Sequence, residues 1–151
     1  LFVSGCTHHC KDFFNPEAWD FDYGEPFTDA VMDHILDLLR PEYIRGITYL
    51  GGEPFDPHNQ PGLLELTRKI RAAYPEKSIW SFTGYVYGQN LPQLPGVTDA
   101  LLAGLDVLVD GPFIAARKNL SLRFRGSDNQ RLIDLPKTLK TGAVVLWDET
   151  Q

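Results

Sequence analysis

Apolar positions along this chain alternate between short β-type blocks and longer stretches with helical spacing. The blocks are Leu1-Phe2-Val3, Gly46-Ile47-Thr48-Tyr49-Leu50, Ser78-Ile79-Trp80-Ser81-Phe82-Thr83 and Asp106-Val107-Leu108-Val109-Asp110. Apolar runs of this length, bounded by Gly, Pro or Asp, read as buried strands. Between them Val31, Ile35, Leu38 and Leu39 fall on one helical face. They predict a helix that starts from a Thr28 cap, runs to about Arg40 and is stopped by Pro41. Leu63, Leu66, Ile70 and Ala73 predict a second helix from about Gln60 to Tyr74, and Val97 to Ala103 a short third. Asn15 and Pro16 suit the start of a short helical turn, Asp20 to Pro26 reads as loop, and Gly88 to Gly96 reads as a Pro- and Gly-containing connection. Arg117 to Asn129 is a polar loop, Gln130 to Leu135 a candidate strand, and Ala143 to Trp147 a last apolar run.

Strand, helix, strand, helix, strand, helix, strand implies a parallel sheet with right-handed crossovers. A closed eight-unit barrel needs about 250 residues, and this chain has 151. The expected fold class is therefore α/β, an open or partial (β/α) barrel forming a single domain over residues 1–151. Such folds place their chemistry at the C-terminal ends of the strands. Four groups of residues fall there: Cys6 and Cys10, Gly51-Gly52-Glu53, Thr83-Gly84 and Asp110-Gly111.

Composition narrows the class. With 43% hydrophobic and 23% charged residues the chain is globular rather than disordered. No apolar run approaches the roughly 20 residues that cross a bilayer, so no membrane association is expected. A net charge of −6 argues against a general nucleic-acid binder. The sequence opens inside a strand and without Met, so some N-terminal sequence is expected to be missing. Two cysteines do not make a disulfide scaffold. A Cys6–Cys10 disulfide is the lesser alternative to metal-bound or redox-active thiols in a reducing cytoplasm.

Cys6 and Cys10 follow the first strand on a loop with three residues between them, close enough to reach one metal centre. Thiolates suit iron–sulfur clusters or zinc. Two of them complete neither: zinc would need His8, His9 or Asp12, and a cubane with one open iron would need a third thiolate. Gly51-Gly52 lets a ligand approach the backbone closely, and Glu53 offers a carboxylate to an ammonium group. Taken alone, this tetrapeptide with Pro54 is more simply a strand-to-helix turn. Thr83 and Asp110 suit hydroxyls or cations, and equally suit turns as backbone caps. Arg123, Arg125 and Asn129 suit a carboxylate clamp or a solvated cluster. His34 and His58 read as ordinary polar residues, and Trp19, Trp80 and Trp147 as packing.

The segments together are more specific than any one. Leu1-Phe2-Val3-Ser4-Gly5-Cys6 with Cys10, Phe14-Asn15, Trp19 and Gly24-Glu25-Pro26-Phe27-Thr28 carry a resemblance that extends through most of the chain. It continues through Gly51-Gly52-Glu53-Pro54, Trp80 to Tyr85, Val107 to Phe113 and Arg125 to Gln130. The chain resembles the activating proteins of anaerobic ribonucleoside-triphosphate reductase, small members of the radical S-adenosylmethionine family. The resemblance implies a radical SAM-type partial barrel and a [4Fe-4S] cluster with one open iron that binds S-adenosyl-L-methionine. Reductive cleavage of the sulfonium would give a 5′-deoxyadenosyl radical, which takes hydrogen from a glycine of the reductase large subunit. It implies an electron donor such as a flavodoxin. Carried over by position, Cys6 and Cys10 are cluster ligands, and Asp12, Phe13 and Phe14 lie where the loop passes the cosubstrate. Gly51, Gly52 and Glu53 receive the methionine amino group, with Thr83 and Asp110 as further candidates for the same pocket.

Phe13 departs from this pattern. The family's third cysteine, three and then two residues along, falls at position 13, and phenylalanine cannot bind a metal. Three explanations stand: an introduced substitution, a homologue that has lost activity, or replacement by His9, Asp12 or a partner's residue. The expected function is accordingly an activase impaired by Phe13. The alternatives are an inactive reductase-binding homologue and a small zinc protein using Cys6, Cys10 and a histidine.

Overall fold

The computed structural model describes residues 1–3, 27–91, 94–119, 121–122 and 124–148. Its elements in chain order are β1 (Phe2–Val3), α1 (Asp29–Leu39), β2 (Gly46–Gly51), α2 (Gln60–Ala73), β3 (Ser78–Phe82), α3 (Thr98–Ala103), β4 (Val107–Asp110), a 3-10 turn (Ala115–Arg117), β5 (Arg131–Asp134) and α4 (Leu135–Thr141). The short helical turn expected at Asn15 and Pro16 lies outside the described residues.

The five strands lie in the order β1-β2-β3-β4-β5, and the first four are parallel. Each crossover adds its strand to the same growing edge. This is the order of an unrolled barrel rather than of a doubly wound sheet. The sheet is open, ending at β1 and β5 among the described residues. β5 runs antiparallel to β4, with Asp110 opposite Arg131. Among the described residues the β4–β5 connection contains only a 3-10 turn, so the chain returns directly, as antiparallel neighbours do.

The helices touch one another in sequence, α1 on α2, α2 on α3 and α3 on α4, and so form one layer. Strand residues alternate between the two faces of the sheet. Tyr49, Ile79, Leu108 and Ile133 face the helices and join Leu63, Leu66, Ile70, Leu101 and Leu135 in the main core. The other face carries Val107, Val109 and Leu132, with Trp80, Phe82 and Trp147 packed against them. There the rings of Trp80, Phe124 and Trp147 meet edge to face, with centroids 4.9–5.8 Å apart, a favoured aromatic geometry. Phe124 holds φ at +64°. A left-handed backbone costs a bulky residue about 1–2 kcal/mol, and the ring contacts are set against that cost.

Local signals account for the element ends. Thr28 accepts a hydrogen bond from the Val31 N–H at 3.4 Å and caps α1. α4 was not expected from the sequence, yet its signals are there: Asp134 accepts from the Lys137 N–H, Pro136 lies in the first turn, and Gly142 ends the helix at φ +78°. The apolar run after it does not form a separate element. It adds to the edge of β5, where the Trp147 N–H donates to Leu132 O at 2.8 Å.

Candidate functional site

The C-terminal ends of β1 to β4 share one edge of the sheet. Val3, the last residue of β1, pairs with Gly51, the last of β2. Gly51 has φ of +113°, a conformation that L side chains rarely adopt. The chain therefore turns out of β2 beside the point where β1 ends.

Glu53 follows two residues later and is buried, 1% exposed. Its Oε2 accepts from the Phe55 N–H and the Thr83 hydroxyl, each at 2.8 Å, and its Oε1 accepts from the Gly84 N–H at 2.6 Å. Asn59 Nδ2 donates to the Glu53 carbonyl at 2.8 Å. The carboxylate thus staples the end of β2 to the end of β3, and charge-assisted bonds of this kind are the strong ones. Thr83, also buried, accepts in turn from the Tyr85 N–H at 3.2 Å.

Asp110 makes the next staple. Buried at 1% exposure, it accepts from Arg131 Nε at 3.0 Å and Nη2 at 2.5 Å, and from the Tyr87 N–H at 2.9 Å. Arg131 Nη2 also donates to the Tyr87 carbonyl at 3.1 Å. The fork from Asp110 raises the Arg131 guanidinium above its ordinary value, against the opposing effect of burial. Gly111, at φ +98°, donates its N–H to Tyr85 O at 2.8 Å. One loop, residues 84–91, is thereby fastened from both sides.

The structure brings Gly51, Gly52, Glu53, Thr83 and Asp110 to one end of the sheet. The side chains of Glu53, Thr83 and Asp110 hydrogen-bond to neighbouring protein groups. The backbone at Gly51-Gly52 carries no side chain at all. Cys6, Cys10, Asp12, Phe13 and Phe14 lie outside the described residues, as do His8, His9, Trp19 and Arg123. Of the loop residues considered for a carboxylate clamp, Asn129 donates to Pro112 O at 2.9 Å.

Sequence reasoning did not single out Arg131, Asn59 or the Asp56–His58 pair. Asp56 Oδ1 receives the His58 N–H at 2.9 Å and meets His58 Nδ1 at 2.8 Å. The spacing of Asp and His two residues apart before a helix is the available signal, since an Asx turn bonds two residues ahead.

The donor set does not fit a site-differentiated cubane. The sequence holds two cysteines, and position 13 is phenylalanine. Among the described residues no group of three or more His, Cys, Asp or Glu side chains can hold a metal ion. Among them, too, no helix is long and apolar enough to cross a membrane.

Residues 1–133 match the family described as a 4Fe-4S single cluster domain. The chain is 42% identical over 132 residues to the anaerobic ribonucleoside-triphosphate reductase-activating protein of Escherichia coli (strain K12), covering 86% of this chain and 83% of that protein. It is 39% identical over 132 residues to the protein of that description from Vibrio cholerae, with 86% and 83% covered. Against the one from Enterobacteria phage T4 it is 37% identical over 134 residues, with 87% and 80% covered. No solved structure matches.

Proposed function

The chain belongs to the family of anaerobic ribonucleoside-triphosphate reductase-activating proteins, and we propose that it is a radical SAM activase of that reductase whose own turnover is impaired by Phe13. The observation that carries this reading is the register of β1 on β2. Val3 pairs with Gly51, so the chain enters the Cys6–Cys10 segment from beside Gly51-Gly52.

In this reading Cys6 and Cys10 are the thiolates available to an iron–sulfur centre, and the family's third ligand position is Phe13. The backbone of Gly51 and Gly52 receives the amino group of S-adenosyl-L-methionine. Glu53 and Thr83 hold that backbone through the staple between β2 and β3. Asp110 holds the neighbouring loop through Tyr87 and Arg131. Asp12, Phe13 and Phe14 pass the cosubstrate. The partner is the large subunit of the anaerobic reductase, the electron donor is of flavodoxin type, and the compartment is the cytoplasm. The incomplete donor set favours a second reading, an inactive homologue that still docks on the reductase.

The test is anaerobic reconstitution with iron and sulfide, followed by measurement of iron per chain and of 5′-deoxyadenosine formed under reduction. The expected result is substoichiometric iron and little product, with both rising in Phe13→Cys. A full cluster and ordinary turnover with Phe13 in place would overturn the impairment. A Phe13→Cys chain that fills with iron and still makes no 5′-deoxyadenosine would favour the docking homologue.

A further inference from the structure

The connection from β4 to β5, residues 111–130, differs in charge from the rest of the chain. It contains Arg117, Lys118, Arg123 and Arg125 against Asp128 alone, a net charge of +3. The other 131 residues hold ten basic against nineteen acidic, a net charge of −9.

The described residues of this connection are tightly held. Lys118 and Ser127 form an antiparallel bridge, and the Asp128 N–H donates to Arg117 O at 3.0 Å. The buried Gln130 side chain accepts from the Gly126 and Ser127 N–H groups at 2.9 and 3.1 Å and donates to Gly111 O at 3.1 Å. A side chain at Gly126 would meet the Phe113 ring at 3.0 Å, so the loop is packed as well as bonded. On this frame the Arg117 side chain is 53% exposed and paired with Asp128, and Lys118 is exposed. Ile114 and Phe124 are 37% and 46% exposed. Asp110 and Arg131 bound the connection, so it rises from the same end of the sheet as Gly51-Gly52.

We infer that the described residues of the 111–130 connection form a preorganised docking surface for an acidic protein face, with Phe124 as its apolar anchor. A rigid surface loses little freedom on association. Exposed apolar groups carried on the same connection as exposed charged ones suit a protein interface. An extended polyanion fits less well, because the −9 carried elsewhere repels a long phosphate backbone. The charge asymmetry also turns the basic end towards an acidic partner before contact. That the partner is the reductase rests on the function proposed above; the surface itself does not.

The experiment measures association and dissociation rates on immobilised anaerobic reductase across a salt series. Parallel arms carry an immobilised glutamate-rich peptide and a single-stranded oligonucleotide. Arg117→Gln with Lys118→Gln is expected to slow association about tenfold at low salt and to flatten the salt dependence, with dissociation little changed. Phe124→Gly, which also relieves the left-handed backbone, is expected to speed dissociation about tenfold. Lys137→Gln with Lys140→Gln on α4 makes the same charge change and is expected to leave both rates alone. Thermal melting shows that each variant is folded.

Equal effects from the two lysine-containing pairs, or none from any variant, overturn the surface. Reductase binding that ignores Arg117 and Lys118 overturns it while leaving the reductase as partner. Capture by the acidic peptide through Arg117 and Lys118, with no reductase binding, upholds the surface and removes the reductase. Failure to bind either overturns the surface, and tighter binding to the oligonucleotide overturns the protein partner.

Discussion

Replacing Glu53 by glutamine keeps the size of the side chain and removes its charge and one acceptor. In the native chain Oε2 serves Phe55 and Thr83, and Oε1 serves Gly84 at 2.6 Å. Glutamine can turn its oxygen towards Phe55 and Thr83. Its amide then faces the Gly84 N–H, donor against donor, in a position 1% exposed. A buried donor left without a partner costs about 1–3 kcal/mol, and hydrogen bonds to a charged group are worth about 1.5–3 kcal/mol against about 1 for neutral ones. The expected loss is about 3 kcal/mol. For a domain of this size that corresponds to roughly 6–12 °C in Tm. Urea unfolding should show a midpoint lower by about 1.5 M, taking a slope of about 2 kcal/mol/M. Amide exchange adds a local readout, because the Gly84 N–H should lose protection before the core strands do. A loss under about 1 kcal/mol with Gly84 still protected would refute the staple.

Other expectations follow from buried contacts. Tyr49 is fully buried, and burial pushes its phenol up to about 12, against the Thr67 hydrogen bond and the Arg71 charge. Unfolded tyrosines ionise from about pH 10 while this one stays neutral. Its stabilising effect is therefore intact below pH 10 and drains as pH rises to 12, by about 1.4 kcal/mol per pH unit. Tyr49→Phe should lose about 1 kcal/mol at neutral pH with its bond to Thr67, yet gain on the native chain above pH 10. Parallel alkaline limbs in urea titrations would contradict this. Gly46→Ala would place a Cβ 2.0 Å from the Ser78 carbonyl oxygen, a backbone clash at the first β2–β3 pair. It should cost about 3 kcal/mol. Unfolding measurements that find Gly46→Ala as stable as the native chain would show that the strands part there without penalty.

Much of the fold was legible because strands and helices are set by neighbours a few residues away. The period of Val31, Ile35 and Leu39 and the stop at Pro41 read directly as α1, and the four β-type blocks as β1 to β4. α4 carried equally local signals in Asp134, Pro136 and Gly142, but its seven residues are too few to show a period. Arg117 to Asn129 read as a polar loop, but a loop's composition does not fix which way the strand after it runs, and the antiparallel direction of β5 came from the packed sheet.

The alternation of elements along the chain already puts Gly51, Glu53, Thr83 and Asp110 at strand ends. What those side chains hold was set by the packing of the sheet. Glu53 reaches Thr83 across thirty residues of chain and Asp110 reaches Arg131 across twenty-one. A carboxylate takes whichever donors the packed sheet brings within 3 Å, and spacing along the chain carries no record of that choice.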